Sequence, residues 1–269
     1  MPELPEVETT VQGLKPHCLQ RKIKSIEIFQ PRLRWPIPDE IKRLAGAHIT
    51  AIKRRAKYIL MQTDRGCMIW HLGMSGSMRI LDAADPSAAH EHVKIDFDNG
   101  QSLRYIDPRR FGALLFTDSD PFQHELIRSL GPEPLSEDFN IDYLQQQCRK
   151  RATAIKNVIM DAHCVVGIGN IYACESLFLA AINPKTRASR ISRKRLQRLL
   201  DSIRQVLQQA IEQGGTTLQD FTQTDGQPGY FAQSLNVYGN QGECPNCARL
   251  IKRITQGQRS TFYCSHCQR

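Results

Sequence analysis

The first residues of the chain can do chemistry with an aldehyde. They read Met-Pro-Glu-Leu-Pro-Glu, and removal of Met1 would leave Pro2 as a free secondary amine. An α-amino group has an unperturbed pKa of about 8, so part of it is unprotonated and nucleophilic near neutral pH. Attack of a secondary amine on an aldehyde carbon gives a cationic iminium, and the adjacent Glu3 carboxyl group can transfer the accompanying proton.

The same residues also have a purely structural interpretation. Acidic residues such as Glu3 and Glu6 favour a helix start because they oppose the positive end of the helix dipole. Pro5 suits the first helical turn, where a missing N–H costs nothing. On these residues alone the helix start is the simpler interpretation, although it does not require a proline at position 2.

Near the end of the sequence, cysteines have the spacing of a metal site. Two Cys-x-x-Cys pairs are separated by 16 residues. Each pair can turn two thiolates onto one ion, and two pairs complete a closed tetrahedral shell, which indicates a structural metal. Zinc is the first choice and an iron bound by four thiolates is the alternative, whereas a disulfide pair or free thiols fit the spacing less well. The predicted ligands are Cys244, Cys247, Cys264 and Cys267.

The charge of the chain favours a polyanionic partner. The formal net charge is +9 and the sequence pI is about 9.2. Clustered cations such as those at 53–55, 149–151 and 193–195 supply the sequence-independent part of nucleic-acid affinity, although such clusters also form solvated faces. The turn Gly167-Ile-Gly-Asn170 precedes an apolar segment, so it is either an ordinary tight turn or, as we favour, a helix start that clamps a phosphate.

The pattern of apolar residues divides the chain into regions that must position these groups. Residues 1–131 predict strands after one helix from about Pro5 to Cys18, with strands at Ile49–Met61 and on either side of a turn at 98–100. Apolar residues at three- and four-residue spacing predict a long helix that Gly214 and Gly215 end. No apolar run is long enough to span a membrane and no secretory leader is evident, so we expect a cytoplasmic protein.

Taken together, several motifs resemble those of the bacterial formamidopyrimidine-DNA glycosylases. The resemblance runs in consistent order from Met1 to the cysteine pairs. The motifs are the opening Met1–Glu8 stretch, Arg32-Leu-Arg-Trp-Pro36, Arg54-Arg-Ala-Lys-Tyr58, His71-Leu-Gly-Met-Ser-Gly76, Asp107-Pro-Arg-Arg-Phe-Gly112, Leu130-Gly-Pro-Glu-Pro-Leu135, Gly167-Ile-Gly-Asn-Ile-Tyr172, Gly214-Gly-Thr-Thr-Leu218 and Gly229-Tyr-Phe-Ala232.

The resemblance implies a multidomain α+β protein. We expect a β-sandwich catalytic domain with a leading helix over 1–131, a linker over 132–140 and a helix–two-turn–helix domain over 141–236. That second domain would include a loop that covers the damaged base. A zinc ribbon with four cysteine ligands, over 237–269, would hold one structural Zn(II).

The resemblance also implies an activity and its residues. Members excise oxidised purines such as 8-oxoguanine and ring-opened formamidopyrimidines, and then cleave the abasic site by β,δ-elimination. By resemblance, Pro2 is the nucleophile at the sugar C1′ and Glu3 donates the proton that opens the sugar. Lys57 is the acid–base group of β-elimination. Arg259 serves δ-elimination near the phosphate, and because arginine is a poor proton donor we favour its phosphate contact over an acid role.

A flipped base leaves a void in the duplex that side chains must fill. Met74, Arg109 and Phe111 match the family's filling residues, although Met74 or Phe111 alone would suggest a core position. The positions that match DNA contacts are His90, Arg151, Lys156 and Asn170. We therefore expect damaged double-stranded DNA as partner, a monomer, and neither membrane nor nucleotide cofactor.

Two other functions fit part of the pattern. An endonuclease VIII-like glycosylase would share the architecture and the proline chemistry but would remove oxidised pyrimidines. The Glu3–Glu6 start and the set of Met74, Arg109 and Phe111 argue against it. A non-catalytic zinc-ribbon protein would share the basic clusters and the cysteines, but it would have no use for Pro2 and Glu3.

Overall fold

The computed structural model describes residues 2–216, 224–227 and 229–269. The chain forms two compact units. The first comprises Met1–Arg128 and Gln213–Tyr230, and the second comprises Ser129–Glu212 and Phe231–Arg269. The sequence-based division placed residues 213–230 in the helical domain, whereas the structure groups them with the first unit. The predicted lesion-covering loop lies partly outside the described residues.

The first unit is a β-sandwich with a leading helix, as predicted. The helix α1 spans Leu4–Cys18. The strands are β1 (Ile23–Ile28), β2 (Ile49–Arg55), β3 (Tyr58–Thr63), β4 (Gly66–His71), β5 (Ser77–Asp82), β6 (Glu91–Phe97), β7 (Gln101–Ile106) and β8 (Ala113–Thr117). In the described part of the chain they form two antiparallel sheets, with orders β1-β6-β7-β5 and β2-β3-β4-β8.

The core of this unit follows from the two periodicities in its sequence. Val7, Val11 and Leu14 recur at helical spacing and are fully or almost fully buried. Val93, Ile95 and Phe97 alternate along β6 and are buried in the same cluster. The predicted hairpin turn at 98–100 lies between β6 and β7. Both periodicities therefore direct apolar side chains into one core.

The predicted strand Ile49–Met61 is wrong as a single element. The chain reverses at Ala56 and Lys57, so this stretch is the β2–β3 hairpin. Ala56 has a φ of 54°, in the left-handed region that two-residue hairpin loops require. Such loops usually contain glycine, asparagine or aspartate, and the absence of these residues explains why the turn gave no signal. The correction moves Lys57 from a strand to the tip of a hairpin.

The second unit is helical and ends in a small antiparallel ribbon. Its elements are α2 (Ile141–Arg149), α3 (Ile155–Ile159), α4 (Asn170–Leu179), α5 (Arg193–Glu212), β9 (Lys252–Gln256) and β10 (Arg259–Tyr263). The apolar positions predicted for α5 are buried against the other helices, including Leu196, Leu199 and Ile203. The helix–two-turn–helix class predicted from the resemblance is confirmed.

The segment predicted as a linker is held by specific hydrogen bonds. Arg204 on α5 donates to the carbonyl oxygens of Pro134, Ser136 and Phe139 at 3.3, 2.9 and 2.8 Å. The Gly131 N–H donates to the Ala162 carbonyl at 2.8 Å. Residues 131–139 therefore lie against the second unit. Among the described residues, the helices are too short or too polar for a bilayer-spanning segment.

Candidate functional site

The amino terminus lies in the interior of the first unit. Pro2 and Glu3 are buried, and Glu3 is the residue that precedes α1. The Glu6 carboxylate accepts a hydrogen bond from the Glu3 N–H at 2.7 Å, in a capping box. Its second oxygen accepts from the Thr216 N–H at 2.8 Å. Glu6 thus connects the backbone of Glu3 to Thr216, in the segment that follows α5. Met1 lies outside the described residues.

Lys57 lies at the tip of the β2–β3 hairpin and influences His71. Burial, followed by the positive charges of Lys57 and Arg34, lowers the pKa of His71 to about 4. His71 Nδ1 accepts the Gly73 N–H at 3.0 Å, and its ring packs 5.0 Å from that of Tyr58. A neutral imidazole with Nδ1 as acceptor carries its proton on Nε2. His71 is therefore uncharged at neutral pH.

The residues predicted to fill the DNA void lie together in the first unit. Met74 and Phe111 line a groove of about 390 Å³ with Arg34 and His71. Both are large apolar side chains, yet 36% and 46% of their surfaces are exposed. The Arg109 guanidinium lies 4.9 Å from the centre of the Phe111 ring, in a cation–π arrangement. Exposed apolar groups beside a cation form a surface that suits bases better than solvent.

One residue of this surface, Asp107, had no assigned role in the sequence-based prediction. Asp107 is fully buried, and its carboxylate accepts hydrogen bonds from Ser75 and from Gly112. It therefore holds both segments that bear the filling residues. His90 is exposed with a φ of 63°, and its carbonyl accepts the Asp107 N–H at 3.0 Å. Asp107 opens a predicted motif, but a buried carboxylate cannot be told from an exposed one by residue type.

In the second unit, polar residues from three separate segments converge. Lys156 on α3 is fully buried, and its Nζ donates to Asn170 Oδ1 at 2.5 Å. Asn170, the first residue of α4, donates through Nδ2 to the Ser260 carbonyl at 2.8 Å. Ser260 follows Arg259, which is exposed next to the β9–β10 turn. Asn170 therefore connects the predicted anion site with the strand that carries Arg259.

Arg151, another predicted DNA contact, is half-buried and already has partners. Its Nη1 lies 3.0 Å from Asp161 Oδ2, and its Nη2 donates to the Gln147 side chain at 3.1 Å. The pair with Asp161 is partly exposed, so it contributes little to stability and can exchange for a phosphate. The geometry fixes the guanidinium direction before any anion arrives.

The four predicted ligands form a cluster that fits zinc. Their sulfur atoms all lie within 4.8 Å of one another. Cys244 Sγ and Cys267 Sγ are 3.8 Å apart, and Cys247 Sγ and Cys264 Sγ are 3.5 Å apart. A tetrahedral ion with Zn–S bonds of ~2.3 Å separates its sulfurs by ~3.8 Å. The Cys267 N–H also points to Cys264 Sγ at 3.5 Å, which stabilises thiolate charge.

Models of known protein families match most of the chain. Residues 1–114 match the formamidopyrimidine-DNA glycosylase N-terminal domain, 130–222 match the H2TH domain of the same glycosylases, and 243–269 match the zinc finger found in FPG and IleRS. The chain is 53% identical to a formamidopyrimidine-DNA glycosylase of Idiomarina loihiensis over 270 residues. It is 55% identical to that of Vibrio atlanticus over 269 residues. Both alignments cover 100% of each chain.

Solved structures give the same result at lower sequence identity. A Lactococcus lactis FPG mutant in complex with Fapy-dG-containing DNA is 34% identical, with a TM-score of 0.92 and 99% of both chains covered. A complex of Lactococcus lactis Fpg with DNA containing an abasic site is 33% identical, with the same TM-score and coverage. A third complex contains an oxidised pyrimidine in DNA, at 34% identity, a TM-score of 0.91 and 99% of both chains covered.

Proposed function

We propose a residue-level account of DNA repair from the premise that this chain belongs to the formamidopyrimidine-DNA glycosylase family. The protein is a DNA glycosylase, and its terminal cysteine cluster is a structural zinc finger. The zinc fixes the fold of the ribbon and has no open position for substrate. The reaction therefore depends on the side chains of the two units.

We infer that the substrates are oxidised purines in duplex DNA, in particular formamidopyrimidines and 8-oxoguanine. The family name and the complex of a relative with Fapy-dG-containing DNA support this class. Oxidised pyrimidines are the second candidate, because a complex of a relative contains one. Parallel single-turnover assays on duplexes carrying 8-oxoguanine or thymine glycol separate the two, and faster excision of thymine glycol would contradict our assignment.

The observation that supports the mechanism is the buried position of Pro2 and Glu3 together. With Met1 removed, the neutral Pro2 nitrogen attacks C1′ and the bond from C1′ to the base breaks. The departing base takes the bonding electron pair and is neutralised by the proton that Pro2 loses. Glu3 protonates the sugar ring oxygen as the C1′–O bond opens, which leaves a cationic iminium. Glu6 fixes the Glu3 backbone during these steps. Lys57 then moves protons in β-elimination, and Arg259 binds the phosphate that leaves by δ-elimination.

The DNA-contacting residues prepare the base for this attack. Met74, Arg109 and Phe111 enter the duplex when the damaged nucleotide is flipped out, which lowers the cost of unstacking. Met74 and Phe111 are exposed along one groove, and the Arg109 guanidinium lies over the Phe111 ring, which supports this role. The residues assigned to the phosphate backbone are His90, Arg151, Lys156 and Asn170. We propose that the protein acts as a monomer, needs no nucleotide cofactor, and associates with the nucleoid through DNA.

Borohydride trapping tests the proposed chemistry at one atom. Reduction of the iminium forms a stable covalent complex between Pro2 and a lesion-bearing strand. One extra residue before Pro2 turns its nitrogen into an amide, so we expect the complex to disappear entirely. The control carries the same extra residue after Arg269 and should trap normally. Absence of a complex with correctly processed wild-type protein contradicts the mechanism and favours the non-catalytic zinc-ribbon alternative.

A further inference from the structure

We propose that Asp107 is a positioning residue that holds Met74, Arg109 and Phe111 in the arrangement needed to fill the void left by a flipped base. This inference rests on the proposed role of those three side chains. Asp107 does not itself touch DNA in our proposal, because its carboxylate is fully buried. It acts through the Ser75 hydroxyl and through the backbone N–H groups of Arg109 and Gly112, in the two segments that present the filling residues.

The contacts of the Asp107 carboxylate reach both segments. Oδ1 accepts from Ser75 Oγ at 2.6 Å and from the Arg109 N–H at 3.3 Å. Oδ2 accepts from the Gly112 N–H at 2.8 Å and from the Tyr105 hydroxyl at 3.2 Å. Ser75 follows Met74, while Arg109 and Gly112 enclose Phe111 in the chain. One carboxylate thus fixes the neighbours of every proposed filling residue.

The partners of the Asp107 carboxylate are all hydrogen-bond donors. Each of the four partners presents a hydrogen to Asp107, and an ionised carboxylate offers acceptor sites on both oxygens. Burial and the Asp107 carboxylate raise the pKa of Tyr105 well above its ordinary value, so its hydroxyl remains a donor. A buried charge is tolerated when such donors surround it, and removal of the charge leaves donors facing one another.

The two segments approach each other closely at Gly73. A Cβ built on Gly73, whose φ is +67°, would lie 2.4 Å from the Gly112 nitrogen. The 71–76 and 107–112 segments therefore pack backbone against backbone. A displacement of one segment moves the other, so Met74 and Phe111 behave as a pair.

The 107–112 loop also contains a strained residue that Asp107 stabilises. Arg110 has a φ of 55°, a left-handed conformation that is unfavourable for a long side chain. Its N–H donates to the Asp107 carbonyl at 3.1 Å, which closes the turn. Non-glycine residues in this conformation persist where the surroundings determine them, and they concentrate at functional sites. The turn brings Arg109 back over the Phe111 ring.

The main chain of Asp107 also forms a hydrogen bond with His90. The Asp107 N–H donates to the His90 carbonyl at 3.0 Å, and His92 Nε2 lies 2.8 Å from the Asp107 carbonyl. The backbone at His90, a proposed phosphate contact, is therefore connected to the loop that carries Arg109. Asp107 therefore contacts both the backbone at the proposed phosphate contact and the loop that carries two of the proposed filling residues.

The test uses Asp107→Asn. The substitution keeps the size of the side chain, but it places the amide NH2 group against partners that are themselves hydrogen-bond donors. We expect the single-turnover rate of base excision from duplex DNA to fall about a hundredfold, since a displacement near 1 Å has effects of that order. Borohydride trapping on a single-stranded oligonucleotide with a preformed abasic site should stay within about twofold of wild type, because no void must be filled. The fluorescence of a 2-aminopurine placed beside the lesion should rise when wild-type protein is mixed with the duplex, and this rise should be lost with Asp107→Asn.

Two further variants separate positioning from general destabilisation. Ile95→Val alters the core of the same sandwich without touching the loop, so both activities should remain near wild type. Ser75→Ala removes one partner of Asp107 and should reduce excision by about tenfold, which tests the idea even when Asp107→Asn folds poorly. Thermal unfolding is measured for each variant.

The outcomes distinguish this inference from the proposed function. No trapping by wild-type protein contradicts the function itself. Normal excision by both Met74→Ala and Phe111→Ala contradicts the filling role on which the inference rests. If Asp107→Asn and Ser75→Ala excise normally, or lose excision and single-strand trapping equally, Asp107 is a structural residue and the inference is overturned.

Discussion

Arg109 and Arg259 are both exposed, but the chain holds their segments in two different ways. Arg109 belongs to a short loop of the first unit, which the buried Asp107 carboxylate fixes through hydrogen bonds. Arg259 begins strand β10 in a ribbon whose opposite end carries the cysteine cluster. The loop belongs to a unit that has a large apolar core, so hydrogen bonds suffice to hold it. The ribbon buries few apolar residues, and small modules of this kind need a metal to fold.

The ribbon has a second attachment close to Arg259. Asn170 donates to the Ser260 carbonyl, and Lys156 in turn donates to Asn170. The metal therefore fixes one end of the ribbon and an amide fixes the other. A buried carboxylate thus positions the segment of Arg109 in the unit with the larger core, and a metal positions the segment of Arg259 in the small ribbon.

Among these changes, loss of the metal should have the largest effect, because it removes the support of the ribbon that carries Arg259. Cys247→Ala removes a ligand, and bound zinc contributes on the order of 10 kcal/mol to the folding of such modules. We expect zinc content and DNA affinity to be lost, while the first unit keeps its 107–112 loop. Zinc analysis, DNA titration and the NMR spectrum of that loop are the measurements. Cys148→Ala is the matched control, because Cys148 is buried outside the cluster. A metal-free variant that still binds DNA normally contradicts the comparison.

Acid should destabilise the first unit, which carries the 107–112 loop, through protonation of His71. Its folded pKa of about 4 lies below the unfolded value near 6.5. The unfolded state then binds more protons between these values, so this stabilisation is complete above pH 6.5 and is lost as pH falls to about 4. The loss amounts to at most about 3 kcal/mol.

The measurement is the free energy of unfolding of wild type and His71→Gln at pH 7 and pH 4.5. We expect the wild type to lose more stability than the variant, since protonation places a charge on a buried imidazole beside Lys57 and Arg34. His48→Gln, at an exposed position, controls for the substitution. Equal losses in wild type and His71→Gln would show that His71 is not held neutral.

The smallest expected effect concerns the second attachment of the ribbon. Asn170→Asp keeps an acceptor for Lys156 but cannot donate to the Ser260 carbonyl. A net loss of about 1 kcal/mol is typical of one hydrogen bond. Hydrogen exchange of the β10 amides, measured without DNA, should accelerate while zinc content stays at one ion. Unchanged exchange would mean that the metal alone positions Arg259.

Features of the sequence with short-range causes were predicted well. The β6–β7 hairpin follows from alternation and a glycine turn, and α5 follows from its apolar spacing. The β2–β3 hairpin was missed because Ala56 and Lys57 give no turn signal. The placement of Met74, Arg109 and Phe111 around one surface was expected from motif resemblance, but the periodicity of these residues did not imply it.

The metal ligands could be predicted from the spacing of the two Cys-x-x-Cys pairs, because each pair brings two thiolates together through a local turn and the β9–β10 ribbon joins the pairs. The tertiary structure alone decided the partners of the buried polar groups. Glu6 meets Thr216 across 210 residues and Asn170 meets Ser260 across 90. Such contacts depend on how distant elements pack, and a residue's type records neither its burial nor its neighbours.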